Sequence, residues 1–104
     1  MEKSIKEKIR LVETCYACPE QYDAFIGEKQ VGYLRLRHGY FRVDFPDCNG
    51  EVIYTAYPEG DGIFDEDERE FFLDRAKEAI ILKILEKSGK DILEKLLDKY
   101  EKTN

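Results

Sequence analysis

The chain has no tryptophan, one methionine, one histidine and three prolines in 104 residues. With His38 as the sole imidazole, most Ser/His/Asp and Cys/His nucleophile sets have no general base to draw on. Long apolar runs are also missing. The longest, Ala79-Ile80-Ile81-Leu82, falls far short of the roughly 20 residues that span a membrane. The opening MEKSIKEKIRLVE lacks the apolar stretch of a secretory signal. Three cysteines, an odd number, suit a reducing compartment. A cytoplasmic protein without membrane association is expected. Positive charge is the minority: 17 Lys and Arg against 23 Asp and Glu leave a net charge of −6, which works against nonspecific binding to nucleic acid or anionic lipid over the surface as a whole.

What is present describes one folded domain over residues 1–104. Its hydrophobic content of 42% is enough for a modest core, and no repeat or low-complexity linker divides it. The pattern splits into a strand-rich part, 9–57, and a helical part, 65–101. Segments 21–27, 30–37, 40–46 and 51–57 are rich in Tyr, Phe, Val and Ile and read as strands. Their connections are short enough only for antiparallel neighbours, so the sheet is a meander. Ile9–Tyr16 reads as a fifth strand preceded by a helical turn, or else as a short helix marked by Ile5 and Ile9. Asp65 is a suitable N-cap, with Glu68 at capping-box spacing. A helix is expected over 66–87, with apolar positions on more than one stripe, ended by Gly89. A second helix from Lys90 to Tyr100 carries Ile92, Leu93, Leu96, Leu97 and Tyr100. The expected fold is α+β: an antiparallel meander of four or five strands followed by two helices packed on one face.

The stretch QVGYLRLRHGYFRVDF, residues 30–45, is the strongest functional signal. A two-residue His38-Gly39 loop pairs Arg37 with Tyr40, Leu36 with Phe41, Arg35 with Arg42, Leu34 with Val43 and Tyr33 with Asp44. Cross-strand partners share a face. Leu34, Leu36, Phe41, Val43 and Phe45 therefore form a core face. Tyr33, Arg35, Arg37, Tyr40, Arg42 and Asp44 form the other: a basic, aromatic surface on an acidic protein. Arg35 opposite Arg42 is a like-charge pair that calls for a counter-charge such as Asp44, Asp23 or Glu51, or for cover by the acidic second helix. His38 fits the turn, because His tolerates positive φ better than most residues.

Other constellations are weaker. Cys15 and Cys18 form a C-x-x-C, but a zinc set completed by Cys48 and His38 would need opposite ends of the sheet, about 20 Å apart, to meet. No helix pattern follows Cys18, as a thioredoxin-type site requires. The acidic run Glu59–Glu68 fails the EF-hand register: with Gly62 at the sixth position, Tyr57 falls at the first. With 23 acids, chance carboxylate pairs are inevitable and carry no signal.

Tyr57-Pro58-Glu59-Gly60-Asp61-Gly62-Ile63, between a strand and a helix, resembles the pyrophosphate loop of the acetyl-CoA-dependent N-acetyltransferases. There an Arg/Gln-x-x-Gly-x-Gly/Ala turn makes this connection, and Gly60 and Gly62 match its glycines. The resemblance implies an acyl-CoA-dependent transferase holding the coenzyme on loop amides. The chain departs from the pattern at Tyr57, which replaces the Arg or Gln, and at Glu59 and Asp61, where the family favours basic residues. It also lacks the length for the family's N-terminal strand-helix-helix unit.

The leading expectation is a small, non-catalytic interaction or accessory domain. It has no cofactor and no metal, and its partner is a protein or a second copy of itself. The first alternative is the acyl-CoA-dependent reading of the 57–63 loop. The other is single-stranded nucleic-acid binding through Tyr33, Arg35, Arg37, Tyr40 and Arg42, stacking aromatics interleaved with Arg.

Overall fold

Alternating apolar and polar residues carry the chain through five antiparallel strands: β1 (Ile9–Cys15), β2 (Glu20–Ile26), β3 (Lys29–Arg37), β4 (Tyr40–Phe45) and β5 (Glu51–Ala56). The computed structural model describes the backbone of residues 5–15 and 19–100; Tyr16 and Cys18, and with Cys18 the C-x-x-C reading, lie outside the described residues. The strands pair in chain order, β1-β2-β3-β4-β5. Residues Ile5–Lys8 form a 3-10 turn ahead of β1, so the helical turn followed by a strand is what this segment adopts. The β3–β4 register is the expected one at every pair, from Arg37 with Tyr40 to Tyr33 with Asp44. His38 and Gly39 both have positive φ, 54° and 72°, which a two-residue hairpin loop requires.

One helix follows, not two. Helix α1 runs from Glu66 to Tyr100 without interruption, and Gly89 lies inside it. A glycine in a helix interior costs about 1 kcal/mol relative to alanine. It ends a helix only when the backbone turns left-handed there, and the good helix formers Glu86, Lys87, Lys90 and Leu93 on either side favour continuation. The side chains of residues 87–100, and with them the apolar face expected at Ile92 to Tyr100, lie outside the described ones.

The core lies between α1 and one face of the sheet. Ala76, Ile80 and Ile84, spaced one helical turn apart, are buried against Ala24, Leu34, Leu36, Phe41 and Val43. The helix packs directly on Gly32: a Cβ there would lie 2.6 Å from Ile80 Cδ1. Phe41 sits edge-on to Phe64, with ring centroids 5.0 Å apart, and Phe64 stacks on Phe72 at 5.7 Å. Burying side chains of this size contributes about 1.5–3 kcal/mol each. Phe71 and Leu82 remain exposed, so among the described residues the helix packs on one surface and not on two. Lys6 pairs with Asp74 at 3.0 Å and Glu78 at 2.9 Å, and Lys83 with Glu51 at 2.8 Å, pinning the 3-10 turn and β5 to the helix. Among the described residues no helix is long and apolar enough to cross a membrane.

Candidate functional site

Among the described residues, no helix or strand packs over the β3–β4 end of the sheet face opposite α1. There Arg35, Arg37, His38, Tyr40 and Arg42 line a cavity of about 320 Å³. The hairpin register explains the convergence. Arg35 and Arg42 are directly opposed, Arg37 and Tyr40 form the next same-face pair, and His38 closes the turn. Directly opposed side chains start about 5 Å apart, so all five groups meet in one small space.

These arginines differ in what balances them. Arg42 Nε lies 2.9 Å from Asp44 Oδ1, an ion pair that lacks hydrogen-bond alignment. Asp44 itself is 1% exposed, and its Oδ2 accepts the Asn49 amide at 3.1 Å. Of the three carboxylates expected to serve this face, Asp44 therefore takes the role, and Glu51 pairs with Lys83. Arg35 and Arg37 have no carboxylate within ion-pair distance among the described residues. Arg35 Nε is shielded from solvent and has no acceptor. A shielded donor without an acceptor is uncommon, because it forfeits its hydration for nothing.

Of the five residues expected at this site, Tyr33 stands apart. It is buried, its hydroxyl donates to Gln21 Oε1 at 3.1 Å, and burial raises its pKa, with the Cys48 thiol beside it. The 46–50 loop folds back over this part of the face, so Tyr33 offers no stacking surface. Tyr57 takes up the aromatic role instead: it is 79% exposed, with its ring 5.5 Å from that of Tyr40. Sequence reasoning missed Tyr57 and the contribution of His38 to the wall. The strand pattern placed His38 in the turn, and its position beside the Arg37–Tyr40 pair was the available signal.

The Tyr57–Ile63 loop is closed from within. Glu68 accepts the amides of Glu59 and Gly60 at 2.9 Å each and that of Asp65 at 3.0 Å. Burial alone would raise the Glu68 pKa; the three amides hold it below the usual carboxylate value. Half of the expected capping box is thus present. The other half differs: the Glu68 amide donates to the Asp65 backbone carbonyl at 3.1 Å, not to the Asp65 carboxylate. An incoming pyrophosphate would have to displace Glu68, and Gly60 has no spare room, since a Cβ there would lie 2.0 Å from the Ile63 carbonyl oxygen.

Glu20 completes the helix start. It is 4% exposed and sits on the core face of β2. It receives Arg69 Nε at 2.8 Å, Arg69 Nη2 at 3.3 Å, the Phe64 amide at 2.9 Å and the Tyr22 hydroxyl. Burial pushes the Glu20 carboxyl up, but Arg69, Tyr22 and the Phe64 amide together bring it below its ordinary value. Burial and Glu20 raise the Tyr22 phenol, and Glu20 raises Arg69. This cluster locks β2, the 62–64 loop and the first turn of α1 together. It is structural chemistry. In comparisons with known proteins the chain matches no family model, no curated protein and no solved structure.

Proposed function

We propose that this chain is a small, non-catalytic interaction domain that grips an anionic group of a partner protein in the cavity at the β3–β4 turn. One observation carries the reading: Arg35 and Arg37 line that cavity with no ion-pair partner among the described residues, in a chain of net charge −6. An acidic protein that keeps guanidinium groups together and unneutralised bears a local repulsion that a bound anion removes. Guanidinium forks suit this role, because each presents several N–H donors in a plane and no acceptor. Tyr40 and Tyr57 supply apolar surface at the rim for whatever carries the charge. An exposed Cys48 thiol fits a cytoplasmic setting.

A single-stranded nucleic acid is the second reading, favoured by aromatic rings beside the arginines. It is weaker because Tyr33 is withdrawn, the basic surface is one cavity with no extended track, and the net charge repels a polyanion. Titration of the 15N-labelled protein at low salt with a short peptide bearing one Glu between lysines, and separately with a single-stranded oligonucleotide, separates the two. The expected result is amide shifts confined to residues 35–42 and 57 with the peptide. Tighter binding of the oligonucleotide would overturn the protein-partner reading, and an absence of shifts with either would overturn both.

A further inference from the structure

Building on that reading, we infer that the group taken by the cavity is a phosphomonoester dianion on a partner side chain, with a carboxylate as the poorer fit. Charge balance comes first. Asp44 already offsets Arg42, so the cavity carries the two positive charges of Arg35 and Arg37. A phosphomonoester brings about −1.5 to −2 at neutral pH, whereas a carboxylate brings a single negative charge and leaves one guanidinium unmatched.

The donor arrangement points the same way. Arg35 and Arg42 face each other across the ladder, and Arg37 stands two residues along on the same face, roughly 7 Å away. Three guanidinium groups around one space suit a tetrahedral group with three terminal oxygens better than a planar one with two.

Size sets the third limit. A cavity of about 320 Å³ lies at the small end of ligand pockets, room for a phosphoryl group and the one side chain that bears it. The surroundings then select the neighbours of that residue. The Gly39 amide donates to the Asp61 carbonyl at 2.6 Å, which brings the exposed Asp61 beside the turn. Its carboxylate oxygen lies 3.8 Å from where a Cβ on Gly39 would be. A basic pocket with an acidic rim favours a phosphorylated residue flanked by Lys or Arg, and disfavours a polyphosphate chain.

The test uses one peptide sequence with flanking lysines in three forms: phosphorylated, with Glu at that position, and unmodified. Binding is followed by fluorescence anisotropy, with inorganic phosphate as competitor. The phosphorylated form should bind about tenfold tighter than the Glu form or better, and phosphate should displace it. Arg37→Gln should remove that preference while leaving the melting temperature unchanged, because Arg37 is exposed. Arg35→Lys keeps the charge but not the fork, and should weaken the phosphorylated form about tenfold. Equal binding of the Glu and phosphorylated forms, with loss of both in Arg37→Gln, would overturn the phosphate inference and leave the anionic reading standing. No binding of any form, or binding indifferent to both Arg variants, would overturn both. An oligonucleotide that outcompetes the phosphopeptide would overturn a protein-borne phosphate.

Discussion

At the start of α1 the amides of Glu59, Gly60 and Asp65 converge on Glu68, a carboxylate of the same chain. At the β3–β4 turn the guanidinium groups of Arg35 and Arg37 converge on a cavity that no carboxylate among the described residues enters. Both regions gather donors of one kind into a small space, and only the first is completed internally. Completion marks structure, because a satisfied cluster holds its segments without further help. On the proposed reading, incompletion marks a surface that an anion from a partner would stabilise.

The helix start is most sensitive at Glu20. Glu20→Gln removes the charge that faces Arg69 and should destabilise by roughly 3 kcal/mol, the low end for a broken buried pair because Arg69 keeps access to water. Chemical denaturation measures this, and a loss below about 0.5 kcal/mol would mean that the helix start does not depend on the cluster. The pH dependence has a definite sign. Glu20 has a folded pKa below its ordinary 4.5, so its contribution is fully present above that value and is lost as pH falls through the folded one. The wild type should lose stability as pH drops below 4.5, and Glu20→Gln should flatten that slope.

Arg42→Ser comes next. It leaves the buried Asp44 without its cation and should cost about 1–3 kcal/mol, whereas Arg37→Ser should cost nothing measurable in thermal melts. Equal losses would place Arg37 within the internal network, and the turn would then be completed from within like the helix start. The smallest effect sharpens the helix start. Glu68→Ala gives up three amide contacts and should cost about 1–2 kcal/mol. Asp65→Ala should cost less than half as much, since the Asp65 carbonyl and not its carboxylate accepts the Glu68 amide. A larger loss at Asp65 would restore the full capping box.

The hairpin was legible because a two-residue loop and a period of two leave one register that keeps Leu34, Leu36, Phe41 and Val43 together. The gathering of Arg35, Arg37, Tyr40 and Arg42 follows from the same parity. Tyr33 and Asp44 share that parity but are buried, because the 46–50 loop folds back over them; no periodicity reports where a loop goes. Glu20 was hidden for a related reason: its partner across the sheet, Leu36, is apolar, and the arginine that satisfies it comes from 49 positions later. The single helix was misread because Gly89 is a stop signal only in company, and a penalty of about 1 kcal/mol cannot outvote the residues around it.

The unbroken strand order has a kinetic meaning. Every strand pairs with its immediate neighbour in the chain, so the sheet can assemble hairpin by hairpin from short loop closures. The expensive closures are the late ones: Glu20 to Arg69, and Lys6 across 68 positions to Asp74. Contacts of such separation are expected to form after most of the sheet, and substitutions there should raise the unfolding rate while leaving the folding rate nearly untouched. On that order the clasp that holds the helix to the sheet sets how long the protein stays folded, and the hairpins set how soon it gets there.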